Sequence, residues 1–314
     1  MQADSTARRL MREISVHDWL LATYFTLLVL ALTCAAPHPK RASTLAIVAA
    51  LGGAAGACVV GVRAHLLRPG LVATVLYRIA VVGSLLGSYF LLRDILPIVN
   101  RAAYDDTLRS IDVAIFGTDP VLWLDRFVTP ATTEWFAFFY YCYFVLLAVY
   151  LLPMLASRRP LLQNELGLGI FGTFVVAHLT YMLVPGFGPH RAFGDLFPTA
   201  LPDGYWLRTV EHAVRSGGAL KDIFPSLHTA APTFLLLFAF RHRRERPFGA
   251  SWPPTAFFVF NIIAGAVFLR WHYVIDIFAG LGLGCAVATT APGIARWELD
   301  RRTRLGADPV WPTA

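Results

Sequence analysis

The chain has 314 residues, of which 56% are hydrophobic and only 15% are charged. Soluble domains normally contain about a quarter of charged residues, so this composition excludes an ordinary soluble enzyme and indicates an integral membrane protein. The formal net charge of +7 comes from basic residues spread over many segments, and without a basic tract it does not indicate nucleic-acid binding.

Eight apolar segments follow one another along the chain. A spanning helix needs about 20 mostly apolar residues. The segments are residues 19–36, 44–66, 71–97, 133–156, 162–184, 226–240, 254–270 and 273–293. Two fit the pattern less well: the third contains Arg78, Arg93 and Asp94, and the sixth is short unless its helix starts near Pro225. We predict an all-α polytopic membrane protein with about eight transmembrane helices.

The basic residues alternate along this series of predicted spans. With the N-terminus inside, the inner segments would hold Arg8, Arg9, Arg12, Arg63, Arg68, Arg158, Arg159, Arg241, Arg243, Arg244, Arg246, Arg296, Arg301, Arg302 and Arg304. The short outer connections hold Lys40, Arg41 and Arg270. Inner loops of membrane proteins are enriched in Lys and Arg, so the loop at 185–225 is expected on the outer side.

The first two spans are predicted to be an added pair of helices, residues 1–70. Neither shows a buried ionisable pair, and we interpret the first as an uncleaved span because its apolar part is longer than that of a signal peptide. Residues 71–294 would form a six-helix core, and residues 295–314 a cytoplasmic tail. Within the core, segment 104–130 mixes acidic and apolar residues and predicts short helices in the outer interface.

Two polar motifs stand where apolar runs begin, Phe224-Pro225-Ser226-Leu227-His228 and His272-Tyr273-Val274-Ile275-Asp276. Ionisable groups in a span are costly and indicate a functional site. His272 and Asp276 are four residues apart, which on a helix places them on one face, so the carboxylate can orient the ring while its other nitrogen attacks an electrophile. Ser226 and His228 would start another helix, whose amide groups favour an anion such as phosphate.

Other interpretations remain for the same residues. A His and Asp pair also serves in the proton relays of transporters, and a lipid-binding protein could use the polar trio for recognition. A metal site is disfavoured because no third ligand with suitable spacing follows from the sequence. His178, inside the fifth span, is interpreted as a hydrogen-bonding core residue, and the loop residues His190 and His212 have no evident partner.

The two motifs resemble the second and third signature motifs of the type 2 phosphatidic acid phosphatase superfamily, over roughly residues 71–294. Within it, the segment Ile111-Asp112-Val113-Ala114-Ile115-Phe116-Gly117-Thr118-Asp119-Pro120 resembles the inositol phosphorylceramide synthase branch. The resemblance implies that His272 is the nucleophile that forms a phosphohistidine, that Asp276 orients it, and that His228 is the general acid and base, without metal or other cofactor.

The chain departs from the hydrolase pattern of that superfamily. It lacks the first motif, and Gly265 and Ala266 replace the Ser-Arg that begins the third. Another cation must then stabilise the phosphate, because charge stabilisation is usually the largest catalytic effect in phosphoryl transfer. We predict Arg191 in this function, then Lys221 and Arg270, with Ser226 at the helix start; each cation could instead be a solvated loop residue.

We therefore expect a metal-independent phospholipid headgroup phosphotransferase, similar to inositol phosphorylceramide synthase, with a phospholipid donor and a lipid or alcohol acceptor. Loss of the hydrolase-type cations favours transfer. The alternatives are a lipid phosphate phosphatase acting on phosphatidic acid or a polyprenyl phosphate, and a proton-coupled transporter or lipid-binding protein. The expected location is a bacterial cytoplasmic membrane with the site facing outside.

Overall fold

The regular elements of the chain are helices. The computed structural model describes residues 2–157 and 159–311, and within these ranges there is no strand, only an isolated bridge between Gly186 and Asp222. Arg158, one of the predicted inner basic residues, and the last three residues of the predicted tail lie outside the described residues. The all-α prediction is confirmed.

Helices α1 to α14 follow one another with short connections. They are α1 (Gln2–Glu13), α2 (Val16–Cys34), α3 (Arg41–Arg63), α4 (Leu71–Arg78), α5 (Ser84–Val99), α6 (Asp105–Phe116), α7 (Pro120–Leu124), α8 (Pro130–Ala156), α9 (Pro160–Leu183), α10 (Pro189–Ala192), α11 (Tyr205–Gly217), α12 (Leu227–Arg241), α13 (Phe248–Phe268) and α14 (Val274–Leu305). A π-helical turn, Ile79–Gly83, joins α4 to α5 without a break.

Seven of the described helical segments are long and apolar enough to span a bilayer, and the chain is a polytopic membrane protein. They are α2, α3, the continuous α4–α5, α8, α9, α13 and α14. The eighth predicted span corresponds to α12, which has only 15 residues. It is short because Ser226 is extended, with φ −63° and ψ 111°, so the helix starts at Leu227 and not at Pro225.

The N-terminal pair carries a buried ion pair, contrary to the sequence prediction. Arg63 Nε donates to Asp18 Oδ2 at 2.8 Å, and Tyr77 Oη donates to the other carboxylate oxygen at 2.7 Å. Arg63 also donates to the carbonyl oxygen of Val310 at 2.9 Å, which holds the C-terminal segment against the pair. Asp18 and Arg63 each lie at the edge of an apolar segment, so sequence alone showed two flanking charges and not their contact.

The two motif-bearing helices lie unusually close together. A Cβ built at Gly280 of α14 would lie 2.6 Å from the carbonyl oxygen of Ser226, and one at Gly284 would lie 2.6 Å from that of Ala230. Glycines in this small-xxx-small spacing let two membrane helices approach backbone to backbone. This contact brings the start of α12 beside the start of α14.

Candidate active site

His272 and Asp276 are in contact at the start of α14. His272 Nδ1 lies 3.3 Å from Asp276 Oδ2, and the same oxygen accepts the backbone N–H of Tyr273 at 2.9 Å. Both side chains are buried, Asp276 completely. The helix begins at Val274, so His272 lies before its first residue. The prediction that His272 and Asp276 share one helical face is therefore wrong. The carboxylate reaches back over the first turn, as in a helix cap, to hold the ring.

His228 lies in the first turn of α12, with its ring between two tyrosines. The ring stacks on that of Tyr140 at 4.2 Å between centroids and lies 4.2 Å from that of Tyr143. Its Nδ1 is 3.4 Å from the Tyr140 hydroxyl, while Nε2 has no hydrogen-bond partner among the described residues. The centroids of His228 and His272 are 6.1 Å apart. The structure therefore brings together the three residues that the motifs predicted.

The backbone connects the two motifs directly. Ser226 N donates to the carbonyl oxygen of Asp276 at 3.1 Å. The Ser226 hydroxyl is fully buried and accepts a hydrogen bond from Thr229 Oγ1 at 3.2 Å. Ser226, predicted to bind phosphate, thus lies beside the site with its hydroxyl engaged inside the protein.

Two acidic residues of α6 hold the backbone around the site. Asp112 accepts the N–H groups of Val274 at 2.7 Å and Ile275 at 2.8 Å, which caps α14 from outside. Burial raises the pKa of Asp112, although these two hydrogen bonds act in the opposite direction. Sequence reasoning missed this function, and the available signal was the spacing of Asp105, Leu108 and Asp112 on one helical face.

Asp105 fixes the loop that carries the predicted phosphate-binding arginine. It accepts the N–H groups of Phe187 at 3.0 Å and Gly188 at 2.9 Å, and the Tyr273 hydroxyl at 3.1 Å. Gly188 has φ +83°, and a Cβ there would lie 2.4 Å from the carbonyl oxygen of Trp271. Only glycine allows the loop to lie this close to the residue before His272.

A cavity of ≈ 520 Å³ opens beside the two histidines. Its wall includes His228, His272 and the exposed Arg191, together with Tyr140 and Trp271. No hydrogen bond or ion pair to another described residue involves the Arg191 guanidinium, so it is free to meet an anion in the cavity. The size fits the usual range for a small-molecule or headgroup site.

The other two predicted cations do not line this cavity. Lys221 is buried, and its Nζ donates to the carbonyl oxygens of Ala102 at 2.8 Å and Arg101 at 3.2 Å. Arg270 donates to Asp125 at 2.7 Å and to the carbonyl oxygen of Thr199 at 2.6 Å. Burial lowers the pKa of both side chains. Their positive charges are used to hold loops together.

Sequence reasoning missed the polar and aromatic residues of the cavity wall. Asp222 lines it and accepts the Tyr89 hydroxyl at 2.7 Å. A single acid within a charged loop gives no periodic signal, and Tyr140 and Tyr143 stand in the aromatic-rich run 138–144, where nothing marks them as wall residues. Their positions beside His228 follow only from the packing of α8 against α12.

The remaining histidines lie outside the cavity wall. The hydrogen bond predicted for His178 is confirmed, since its Nδ1 lies 3.1 Å from the Tyr24 hydroxyl. His190 lies beside Trp271 at 5.3 Å between ring centroids, and desolvation lowers its pKa. His212 is exposed, 3.5 Å from the Ser216 hydroxyl.

Potential metal ligands cluster elsewhere. Within residues 2–157 and 159–311, the group of three side chains placed to share one ion is Glu13, His65 and Asp308. It lies with the N-terminal pair and the C-terminal segment, away from His228 and His272. The site itself offers a nucleophilic imidazole, a carboxylate that orients it and a second imidazole for proton transfer.

Comparison with known protein families gives a match. Residues 111–290, more than half of the chain, match the sequence model described as the PAP2 superfamily. The match begins inside α6, at Ile111, and includes α7 to α13 and both motifs. Comparison with curated proteins and with solved structures gives no match.

Proposed function

The chain belongs to the PAP2 superfamily, and from this premise we propose that it transfers a phosphate-bearing headgroup from a phospholipid to a lipid or alcohol acceptor. Membership in the superfamily supports a lipid enzyme of the phosphatase or phosphotransferase type. The observation that carries the proposal is the contact of His272 with the buried Asp276 at the wall of a cavity that also holds His228.

The proposed reaction has two displacements at phosphorus. With the proton of His272 held on Nδ1 by Asp276, Nε2 attacks the donor phosphorus, and the bond from phosphorus to the leaving oxygen breaks. His228 gives that oxygen a proton. The acceptor hydroxyl then loses its proton to His228 and attacks the phosphohistidine, and the P–N bond breaks. Arg191 faces the phosphate charge throughout.

The composition of the cavity favours transfer over hydrolysis. Most of its wall is aromatic or aliphatic, including Tyr143, Phe144, Leu147 and Phe174. Such a wall accommodates an apolar acceptor and limits the access of water to a reactive intermediate. Hydrolysis is the competing outcome, which product analysis distinguishes: water would release the phosphorylated headgroup or, from phosphatidic acid, free phosphate.

The resemblance to inositol phosphorylceramide synthase depends on residues 111–120. Asp112 of this segment caps α14, and Asp119 caps the start of α7 by accepting the N–H groups of Val121 and Leu122 at 3.0 and 3.1 Å. These are scaffold functions. The inositol assignment is therefore a prediction from family likeness, and the headgroup has to be argued from the cavity.

We also propose a bacterial cytoplasmic membrane, with the site on the outer side. The distribution of basic residues supports the orientation, while the bacterial location stays a prediction from the arginine- and alanine-rich loops of the sequence. Arg12, Arg63 and Arg302 meet at the end of the bundle where α1, α3 and the C-terminal segment join, and these belong to the segments predicted inside.

The test uses detergent-purified protein and phospholipids labelled at the headgroup phosphate, with ceramide or diacylglycerol as acceptor. A new labelled lipid, formed also in EDTA, is the expected result. Release of a labelled water-soluble headgroup phosphate, or of labelled inorganic phosphate from phosphatidic acid, would show hydrolysis instead of transfer. His272→Ala should abolish turnover, whereas His212→Ala, which removes an exposed imidazole outside the cavity, should not. Turnover that survives His272→Ala contradicts the mechanism, and loss of turnover in EDTA contradicts metal independence.

A further inference from the structure

The cavity wall contains a carboxylate that the proposed reaction does not use. Asp222 is half-buried, and its Oδ2 accepts the Tyr89 hydroxyl at 2.7 Å. The neighbouring Lys221 points elsewhere, with Nζ on the carbonyl oxygen of Ala102. Among the described residues, no cation lies within ion-pair distance of Asp222.

An unpaired charge at such a position is unfavourable, because the apolar surroundings screen it less than water does. Arg191 is exposed, but it lines the same cavity wall and also has no ion pair to any described residue. Among the described residues that line the wall, Arg191 is the one arginine or lysine and Asp222 is the one acid. A ligand with one negative and one positive group would match both.

The aromatic residues of the wall add a second preference for a cation. Ten of the lining residues are aromatic: Tyr89, Phe90, Tyr140, Tyr141, Tyr143, Phe144, Phe174, Tyr181, Phe187 and Trp271. Aromatic ring faces attract ammonium groups, and sites for quaternary ammonium ligands are typically built from several such rings. A carboxylate among tyrosines is therefore suited to an ammonium group.

We propose that Asp222 and the rings around it bind the ammonium group of a zwitterionic phospholipid headgroup, while Arg191 faces its phosphate. This inference rests on the proposed function, because it names the donor class of that same site. With an inositol or glycerol headgroup, Arg191 would still face the phosphate, but Asp222 would be left without a cation. The charges of the cavity therefore favour a phosphocholine or phosphoethanolamine donor over the inositol donor that family likeness predicted.

The test measures binding apart from turnover. Short-chain phosphatidylcholine, phosphatidylethanolamine, phosphatidylglycerol and phosphatidylinositol are titrated into the detergent-solubilised protein, with the fluorescence of Trp271 and the other tryptophans as readout. Asp222→Asn removes the charge and keeps the shape and the hydrogen bond from Tyr89. Asp203→Asn makes the same change at an exposed acid paired with Arg208, and serves as the matched control.

We expect the two ammonium lipids to bind the wild type and Asp203→Asn at least about tenfold more tightly than the other two lipids. Asp222→Asn should lose this preference while its affinity for phosphatidylglycerol stays equal or rises. Equal or tighter binding of phosphatidylinositol or phosphatidylglycerol by the wild type overturns the proposal, as does a preference that Asp222→Asn retains.

Turnover of the same lipids separates the two proposals. If ammonium lipids bind preferentially but none is converted, the ammonium site stands and headgroup transfer fails. If phosphatidylinositol is the preferred substrate and the preferred ligand, transfer stands and the ammonium site fails. In a competent enzyme, Asp222→Asn should raise KM for phosphatidylcholine more than it lowers kcat, because the residue contacts the headgroup and not the reacting atoms.

Discussion

Replacing Gly280 by alanine should impair catalysis more than stability. Its new Cβ would lie 2.6 Å from the carbonyl oxygen of Ser226 and 2.8 Å from Cβ of Thr229. Real Cβ contacts are essentially never under 3.0 Å and are ordinary above 3.4 Å, so α12 and α14 must separate by roughly 0.4 to 0.8 Å. That separation acts directly on the relative positions of His228 and His272.

The magnitude follows from two opposing effects on stability and one on rate. Overpacking a well-packed contact costs about 1–3 kcal/mol, while alanine in place of glycine within a helix recovers about 1 kcal/mol. The net loss of stability is then at most about 2 kcal/mol. A displacement approaching 1 Å at a reacting group can reduce the rate about a hundredfold, so we expect a loss of about ten- to a hundredfold.

The same helix supplies the control. Gly282→Ala makes the identical chemical change two residues away, where a Cβ would meet no heavy atom within 4 Å. Initial rates with labelled lipid, and thermal unfolding followed by tryptophan fluorescence, should be measured for both variants. If the rate of Gly280→Ala lies within about twofold of that of Gly282→Ala, the close contact does not position the catalytic motifs and the argument fails.

Three other predictions concern charged groups. Asp112→Asn weakens the cap on α14 and should lower stability by about 1 kcal/mol and turnover several-fold; unchanged values in both assays would contradict the scaffold function of α6. Arg191→Gln should reduce turnover about a hundredfold without lowering the unfolding temperature, because its guanidinium bonds to no described residue, and equal activity would remove it from the site. For His242, burial favours the neutral ring, but hydrogen bonds and charge from Glu165 and Glu245 raise its pKa above 6.5. The protonated ring therefore contributes its full stabilisation below pH 6.5, and this contribution is lost as the pH rises through the raised pKa. The difference in unfolding temperature between wild type and His242→Gln should close at alkaline pH. A difference that grows at alkaline pH would contradict this prediction.

The contact between His272 and Asp276 was predictable because four residues separate them, and this spacing brings side chains together in a helix or across its cap. The position of His228 at a helix start was predictable too, from a serine and a proline before an apolar run. The predicted start of the helix was wrong, because α14 begins at Val274 and leaves His272 outside it. Local sequence fixes such short-range contacts because few backbone conformations are available to them.

The phosphate-binding cations were harder to predict. Arg191, Lys221 and Arg270 look alike in the sequence as loop cations near the motifs, yet only Arg191 reaches the cavity wall. Lys221 and Arg270 instead bond to loops far away in the chain. Which of several equivalent charges is left without a protein partner depends on contacts between distant segments, and no spacing rule describes these.

The sequence by itself determined seven of the membrane-spanning helices and singled out the three residues that meet at the candidate site, because hydropathy and short-range spacing are local properties. Tertiary structure alone decided how Asp105 and Asp112 hold the active-site backbone, how Asp18 meets Arg63, and that Asp222 enters an aromatic cavity. The physical reason is that the function of a charged side chain depends on the groups that exclude water from it and on those that form ion pairs or hydrogen bonds with it. In this protein those groups come from helices far apart in the chain.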